Sequence, residues 1–155
     1  MKSNFLSLAL ALALSLSAAL SPTGALAQDE EAARPRLFIN LTTDDTWSAA
    51  KAILFAHRRA LANGYDTAIW LNVRGVYLAE LDRPSHIPGP LAEEGTSIHD
   101  MLTAFMADGG TVIMCSACSG AAGLTEEEYL DGVVMGTWPV VESWLFADDV
   151  RTLAW

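Results

Sequence analysis

Cys115 and Cys118 are the two cysteines of this 155-residue chain, and their spacing is the feature most able to do chemistry. A short apolar run, residues 111–114, precedes them, and a glycine-bearing turn is predicted after them. A thiolate is the nucleophile in sulfur chemistry, and the backbone N–H groups of such a turn can stabilise a thiolate or a persulfide anion. The pattern therefore indicates a reactive Cys115 that accepts or passes on a sulfane sulfur. A buried and inert cysteine at a strand end is the alternative.

Cys118 has three interpretations. It can be the resolving partner of a redox dithiol, it can form a structural disulfide with Cys115, or it can be a bystander. Closing so short a loop adds little stability through chain entropy, which makes a purely structural disulfide the weakest of the three. A metal site is not predicted, because the sequence has no second Cys-x-x-Cys and its three histidines have no ligand spacing to the cysteines.

The other titratable groups give weaker signals. His57 lies in a predicted helix, His86 in a proline-rich stretch and His99 near a helix start. A solvated position is the favoured interpretation of each, with a general base as the alternative for His86 and His99. Asp44 and Asp45 are predicted to cap the first helix. No glycine-rich phosphate loop follows the first predicted strand, so no cofactor is predicted.

Five apolar runs of strand length alternate with helical patterns. The predicted strands are residues 36–41, 65–73, 111–114, 132–135 and 150–155. The predicted helices are residues 47–63, a segment that starts at the capping box 97–100, a short helix at 125–130 that starts at a second capping box, 125–128, and residues 139–147. Residues 75–81 are predicted as a helical turn or an extended piece, and residues 84–95 as a loop. This alternation is typical of an α/β three-layer sandwich, in which helices cover both faces of a mainly parallel five-stranded sheet.

Ligands of such sheets bind beyond the carboxyl ends of the strands. Three predicted loops, residues 42–46, 73–76 and 115–124, follow strands and are expected at that edge. The cysteine pair lies in the third loop, so the sequence places its sulfur chemistry where this class of fold binds ligands.

Residues 1–27 have the features of a secretory signal peptide. Lys2 precedes an apolar run at 6–20, which is shorter than the about 20 residues of a bilayer span, and residues 25–27 form a small-x-small cleavage site. Cleavage after Ala27 would leave a flexible leader, 28–35, and one domain, 36–155; an uncleaved anchor is the alternative. The mature protein is thus predicted to be periplasmic, in an oxidising compartment where two nearby thiols tend to pair.

The formal net charge of −10 limits the classes of partner that the protein is predicted to bind. Binding to nucleic acid requires clustered Lys and Arg, and the chain has no basic cluster beyond Arg58 and Arg59. Nucleic acids and anionic membrane surfaces are therefore excluded as predicted partners. No segment after residue 27 is apolar over a length that would span a membrane, so no membrane association is predicted once the signal is removed.

The chain resembles the DsrE/DsrF/TusD-like (DsrE) family over nearly the whole predicted domain. The likeness is carried in order by residues 37–45, 60–66, 74–79 and 115–124, and within the last stretch Gly123 follows Cys115 at the family's spacing. The resemblance implies a flavodoxin-like fold that often assembles into trimers or hexamers. It also implies sulfur handling, in which the loop cysteine, Cys115 by position, carries a persulfide between donor and acceptor proteins.

Two functions from different classes follow. The first is an exported sulfur (persulfide) carrier or sulfurtransferase-like protein that uses Cys115, with Cys118 as a resolving thiol. Its predicted partner is a sulfur donor or acceptor protein or a small sulfur compound. The alternative is a non-catalytic oligomeric binding module whose Cys115 and Cys118 form a disulfide. A thioredoxin-like oxidoreductase is disfavoured, because its cysteine pair normally follows the first strand and here the pair follows the third.

Overall fold

The computed structural model describes residues 34–83 and 96–155. The predicted signal peptide, most of the predicted leader and the predicted loop at 84–95, with His86, lie outside the described residues. Within the described part of the chain, no helix is both long enough and apolar enough to cross a bilayer.

A five-stranded sheet forms the centre of the domain. Its strands are β1 (Arg36–Leu41), β2 (Asp66–Leu71), β3 (Thr111–Cys115), β4 (Val134–Gly136) and β5 (Val150–Ala154). The strand order is β4-β3-β2-β1-β5, and every pairing in this sheet is parallel. The predicted α/β fold with a parallel five-stranded sheet is confirmed. The fourth strand is shorter than predicted and begins two residues later.

The helical segments lie between the strands in the predicted order. They are α1 (Thr46–Phe55), α2 (Ile98–Ala107), α3 (Ser116–Ala122) and α4 (Trp138–Leu145), with a π-helical turn at Ala56–Ala60 and 3-10 turns at Leu61–Asn63, Val73–Ala79 and Glu126–Glu128. The helix predicted at 47–63 is therefore one helical segment of changing pitch. It ends at Gly64, whose φ of 86° is the left-handed conformation that glycine adopts at low cost.

Two apolar clusters hold helices to the sheet. The larger packs α1, α2 and the 3-10 turn Val73–Ala79 on one face, and includes Ile39, Ile69 and Val112 of the three central strands. The smaller covers the other face and consists of Phe38, Ala68, Ile113, Val141 and Trp144. Because both faces of β1, β2 and β3 are covered, these strands have continuous apolar runs instead of alternating patterns.

The segment after the cysteines differs from the prediction. A turn was predicted from Gly120 and Gly123, but residues Ser116–Ala122 form the helix α3 and the left-handed residue is Gly123, at φ 75°. Cys115 occupies the N-cap position, where its sulfur accepts the N–H of Cys118 at 3.2 Å. Gly120 sits within α3 with an ordinary φ, so the first glycine does not interrupt the helix. The prediction of a turn at this point was wrong.

Candidate functional site

Three strand-end segments meet at the carboxyl edge of the sheet. The Arg74 N–H donates to the Thr42 carbonyl at 3.2 Å, which joins the loop after β1 to the loop after β2. The Val73 N–H reaches the sulfur of Cys118 at 3.3 Å, which joins the loop after β2 to α3. The predicted loops at 42–46 and 73–76 and the segment that carries the cysteines are thus adjacent, as the parallel topology requires.

Cys115 and Cys118 are joined as a disulfide, with their Cα atoms 5.2 Å apart. The two residues are unequal in exposure. Cys115 is the last residue of β3 and is 8% exposed, whereas Cys118 lies in the first turn of α3 and is partly exposed. The structure therefore brings together the two predicted site residues, with the sulfur of Cys118 nearer the surface.

Val73 has a backbone conformation that is unusual for a β-branched residue. Its φ of 50° lies in the left-handed region, which costs roughly 1–3 kcal/mol for residues other than glycine. In this conformation its N–H donates to Asn72 Oδ1 at 2.8 Å and also contacts Cys118 Sγ. Such strain is concentrated at functional sites, and here it directs a backbone donor at a sulfur atom.

Asn72 is the second polar group against Cys118. Its Oδ1 lies 3.1 Å from Cys118 Sγ, and its Nδ2 donates to Asn40 Oδ1 at 3.3 Å. The amide orientation follows from the network, since the Val73 N–H requires an acceptor on that side. Asn40 is in β1 and Asn72 follows β2, so an amide pair spans the ends of two neighbouring strands and fixes the loop that carries Val73.

Asp44 forms an ion-pair cluster with two arginines beside the cysteines. Arg74 Nε and Nη2 donate to its two oxygens at 2.9 and 2.7 Å, and Arg83 Nη2 donates at 2.6 Å. The hydrogen bond from Arg74, assisted by Arg83 and opposed by partial burial, lowers the pKa of Asp44 from 3.8 to about 2. Two guanidinium groups around one carboxylate leave this cluster with a net positive charge in an acidic protein.

A surface cavity of about 300 Å³ opens beside this cluster. Its lining consists of Val73, Arg74, Tyr77, Cys118, Ala121 and Ala122. The Tyr77 ring contacts the guanidinium groups of Arg74 and Arg83, with centroid distances of 5.7 and 5.2 Å. Cys118 is the cysteine that faces this space, and the small side chains of α3 leave room above it.

A chain of buried hydrogen bonds fixes α3 on its core-facing side. The Tyr129 hydroxyl donates to Ser119 Oγ at 2.8 Å, and the Ser119 hydroxyl donates to the Cys115 carbonyl at 3.0 Å. Both side chains are almost fully buried, and burial is the main reason that the pKa of Tyr129 is raised. The first turn of α3, and with it the Cys115 backbone, is therefore anchored in the core.

The remaining predicted candidates lie elsewhere. His57 contacts Asp108 at 2.6 Å, and His99 is in the first turn of α2. Within residues 34–83 and 96–155, no group of three His, Cys, Asp or Glu side chains could hold a metal ion. Asp45 caps α1 as predicted, by accepting the Ser48 N–H at 2.9 Å, whereas Asp44 binds the arginines instead.

Sequence reasoning missed Asn72, the left-handed Val73 and the Asp44–Arg74–Arg83 cluster. Their partners are 30 to 46 positions away in the chain, so local patterns carry no trace of the contacts. The one available signal was position, since Asp44 and Arg74 lie in loops that were predicted to meet at the same edge of the sheet.

The fold and this edge define an α/β protein with a parallel five-stranded sheet and a cysteine pair at its carboxyl edge. Residues 36–149 match the DsrE/DsrF-like family, and the chain belongs to that family. Membership suggests a role related to sulfur relay.

The chain is also similar to individual proteins in sequence or in fold. An uncharacterised protein of Methanopyrus kandleri, MK0008, is 30% identical over 91 residues, which are 58% of this chain and 69% of the relative. The fold is similar to the crystal structure of the ychN protein from E. coli, with a TM-score of 0.59, 21% identity and coverage of 79% and 99% of the two chains. It is also similar to MTH1491 from Methanobacterium thermoautotrophicum, a protein of unknown function, with a TM-score of 0.57, 14% identity and coverage of 77% and 97%.

Proposed function

We propose that the protein is a persulfide carrier, or a sulfurtransferase-like protein, in which Cys115 holds the sulfane sulfur and Cys118 is the resolving thiol. One observation carries the proposal. Cys118 Sγ is bonded to Cys115 Sγ and lines a cavity, so a sulfur atom attached to Cys115 Sγ lies within reach of that cavity and of the resolving thiol. The Val73 N–H, 3.3 Å from Cys118 Sγ, is a hydrogen-bond donor on the same side.

The carrier cycle conserves atoms and electrons. In the reduced pair, the Cys115 thiolate attacks the outer sulfur of a donor hydropersulfide R–S–SH; the donor S–S bond breaks, R–S⁻ leaves, and Cys115 gains one sulfur. An acceptor thiolate then removes that sulfur by the same displacement and regenerates the Cys115 thiolate. When no acceptor is present, the Cys118 thiolate attacks Cys115 Sγ, expels hydrosulfide and forms the disulfide of the present structure.

Loading with a sulfane donor tests the carrier function. The reduced wild-type protein, freed of reductant and treated with a polysulfide solution, is expected to gain about 32 Da, the mass of one sulfur atom, in intact mass spectrometry. Cys115→Ser is expected to gain nothing. The matched variant Cys118→Ser is expected to keep the adduct longer, because the resolving thiol is gone. A persistent adduct on Cys115→Ser, or a wild type that never gains the mass, would contradict the carrier function.

A second candidate is a non-catalytic binding module with a locked disulfide. The disulfide of the present structure favours it. Thiol counting separates the two candidates: a pair that stays oxidised in millimolar dithiothreitol supports the module, and a pair that opens readily supports the carrier, because labile disulfides are the functional ones.

Export and self-assembly belong to the same proposal. We expect residues 1–27 to be removed on export to the periplasm, so that N-terminal sequencing of periplasmic material begins at Gln28. We also expect a trimer or hexamer in gel filtration. Trp138 and Phe146 are 61% and 64% exposed and pack ring to ring, which favours a contact between subunits at α4. An N-terminus before residue 28 contradicts the first expectation, and a monomer contradicts the second.

A further inference from the structure

The two sulfurs of the disulfide differ in access from the solvent. Cys118 lines the cavity next to Arg74 and Tyr77, whereas Cys115 is 8% exposed and lies beneath α3 at the end of β3. In thiol–disulfide exchange, access is one of the factors that decide which sulfur is attacked. An incoming thiolate therefore meets Cys118 first.

The two sulfurs also differ as leaving groups. Each is contacted by one backbone N–H: Cys118 N–H for Cys115, at 3.2 Å, and Val73 N–H for Cys118, at 3.3 Å. Cys118 has in addition the carbonyl oxygen of Asn72 at 3.1 Å, whose partial negative charge opposes a thiolate there. Of these three contacts, the repulsive one is at Cys118, so the hydrogen bonds favour a thiolate on Cys115, although the burial of Cys115 opposes it. Attack on Cys118 places the thiolate on Cys115.

The walls of the cavity limit the attacking thiol. A volume of about 300 Å³ suits a small molecule, and Val73, Tyr77, Ala121 and Ala122 would contact an alkyl chain. The side chain of Arg74 is 65% exposed, and its guanidinium belongs to a cluster with two positive charges and one negative charge. A thiol with a carboxylate or another acidic group at its far end fits these surroundings.

We propose that the disulfide is opened at Cys118 by a small anionic thiol that binds in the cavity beside Arg74. The thiolate R–S⁻ attacks Cys118 Sγ, the Cys115–Cys118 bond breaks, an R–S–Cys118 mixed disulfide forms, and Cys115 leaves as the thiolate. No further oxidant or reductant is needed for this step. The inference rests on the proposed function, because the freed Cys115 is the sulfur carrier. Cys118 then regulates the carrier, since Cys115 can accept sulfur only after the bond to Cys118 has been opened.

Peptide mapping of the mixed disulfide tests the site of attack. Oxidised wild-type protein is mixed with 3-mercaptopropionate, quenched with acid after short times, alkylated and digested, and the adduct is located by tandem mass spectrometry. We expect the adduct on Cys118 in about tenfold or greater excess over Cys115, because access and the hydrogen-bond contacts of the two sulfurs both favour attack on Cys118. An adduct mainly on Cys115, equal labelling of the two, or no reaction would overturn the proposal.

The charge preference is tested with Arg74→Gln. The ratio of opening rates with 3-mercaptopropionate and with the neutral thiol 2-mercaptoethanol is expected to fall about fivefold at low salt, the effect of losing one partly screened ion pair. Arg58→Gln is the matched control, because Arg58 is exposed and lies in the π-helical turn away from the cavity. A ratio that is unchanged in Arg74→Gln, or that falls equally in both variants, would overturn the anionic part of the proposal.

These measurements use no sulfane donor. Opening at Cys118 without any gain of sulfur would support the inference and contradict the carrier function. A gain of sulfur on Cys115, together with attack on Cys115 by thiols, would support the carrier function and contradict the inference.

Discussion

Replacing Gly75 with alanine is expected to lower the free energy of unfolding by about 3 kcal/mol, near the upper end for adding a carbon atom to a packed site. A Cβ at this position would overlap the carbonyl oxygen of Leu41, which already accepts the N–H of Asn72 at 2.9 Å. Backbone atoms of β1 cannot rotate away as a side chain would, so the loop after β2 must move. That loop carries Val73, and its displacement is expected to separate the Val73 N–H from Cys118.

Two measurements check this expectation. Urea unfolding reports the loss of stability as a lower midpoint at unchanged slope, and the rate of thiol attack on the disulfide reports the change at Cys118. Gly120→Ala is the matched control, since an added Cβ there meets no atom within 4 Å and an alanine within α3 is favoured over glycine by up to about 1 kcal/mol. A Gly75→Ala protein with the stability and thiol reactivity of Gly120→Ala would show that the close contact with Leu41 is unimportant.

Asp44→Asn is expected to lower stability by about 1 to 2 kcal/mol at neutral pH and to remove a pH-dependent part of the stability. The pKa of Asp44 is 3.8 without its partners and about 2 in the folded protein, so the charged form is favoured by folding. This contribution is present above pH 4 and is lost as the pH falls from about 4 to about 2. The change in pKa from 3.8 to about 2 corresponds to roughly 2.4 kcal/mol, and solvent screening at the exposed Arg74 reduces this value.

Denaturation measured between pH 2 and pH 7 tests the sign as well as the size. The stabilities of the wild type and Asp44→Asn are expected to differ at pH 7 and to converge toward pH 2, where the wild-type carboxyl becomes protonated. Asp131→Asn is the control, because it removes an exposed carboxylate that takes no part in the ion pairs of Asp44. A constant difference between the wild type and Asp44→Asn across this range would contradict the pKa shift.

The strands were predictable because each central strand is buried on both faces. Residues Arg36–Leu41 and Asp66–Leu71 have the burial pattern that a continuous apolar run implies, and the two capping boxes at Ser97 and Thr125 form as the sequence predicts. Since these signals arise within a few residues, tertiary contacts did not have to be known. The parallel order of the strands then brought Cys115 and Cys118 to the correct edge.

The immediate surroundings of the sulfurs could not be predicted in the same way. A left-handed φ at Val73 contradicts the preference of a β-branched residue, and it persists because Asn72 and the loop after β1 hold the backbone. The helix α3 is short and contains Gly120 and two serines, and its first turn is held by the sulfur cap and by Ser119 in the core. Both features depend on tertiary contacts, which cannot be predicted from short sequence patterns.

The uneven covering of the sheet has a consequence for how the domain opens. One face is covered by the eight residues of α4 through a small apolar cluster, while α1 and α2 cover the other face through a much larger one. Local opening events follow the regions with least buried apolar contact, so α4 should detach at a lower free energy than the rest of the domain. Cys115, Tyr129 and Val76 belong to the larger cluster. Fluctuations of α4, and any rearrangement at its exposed aromatic rings, can therefore occur while the cysteine pair keeps its geometry.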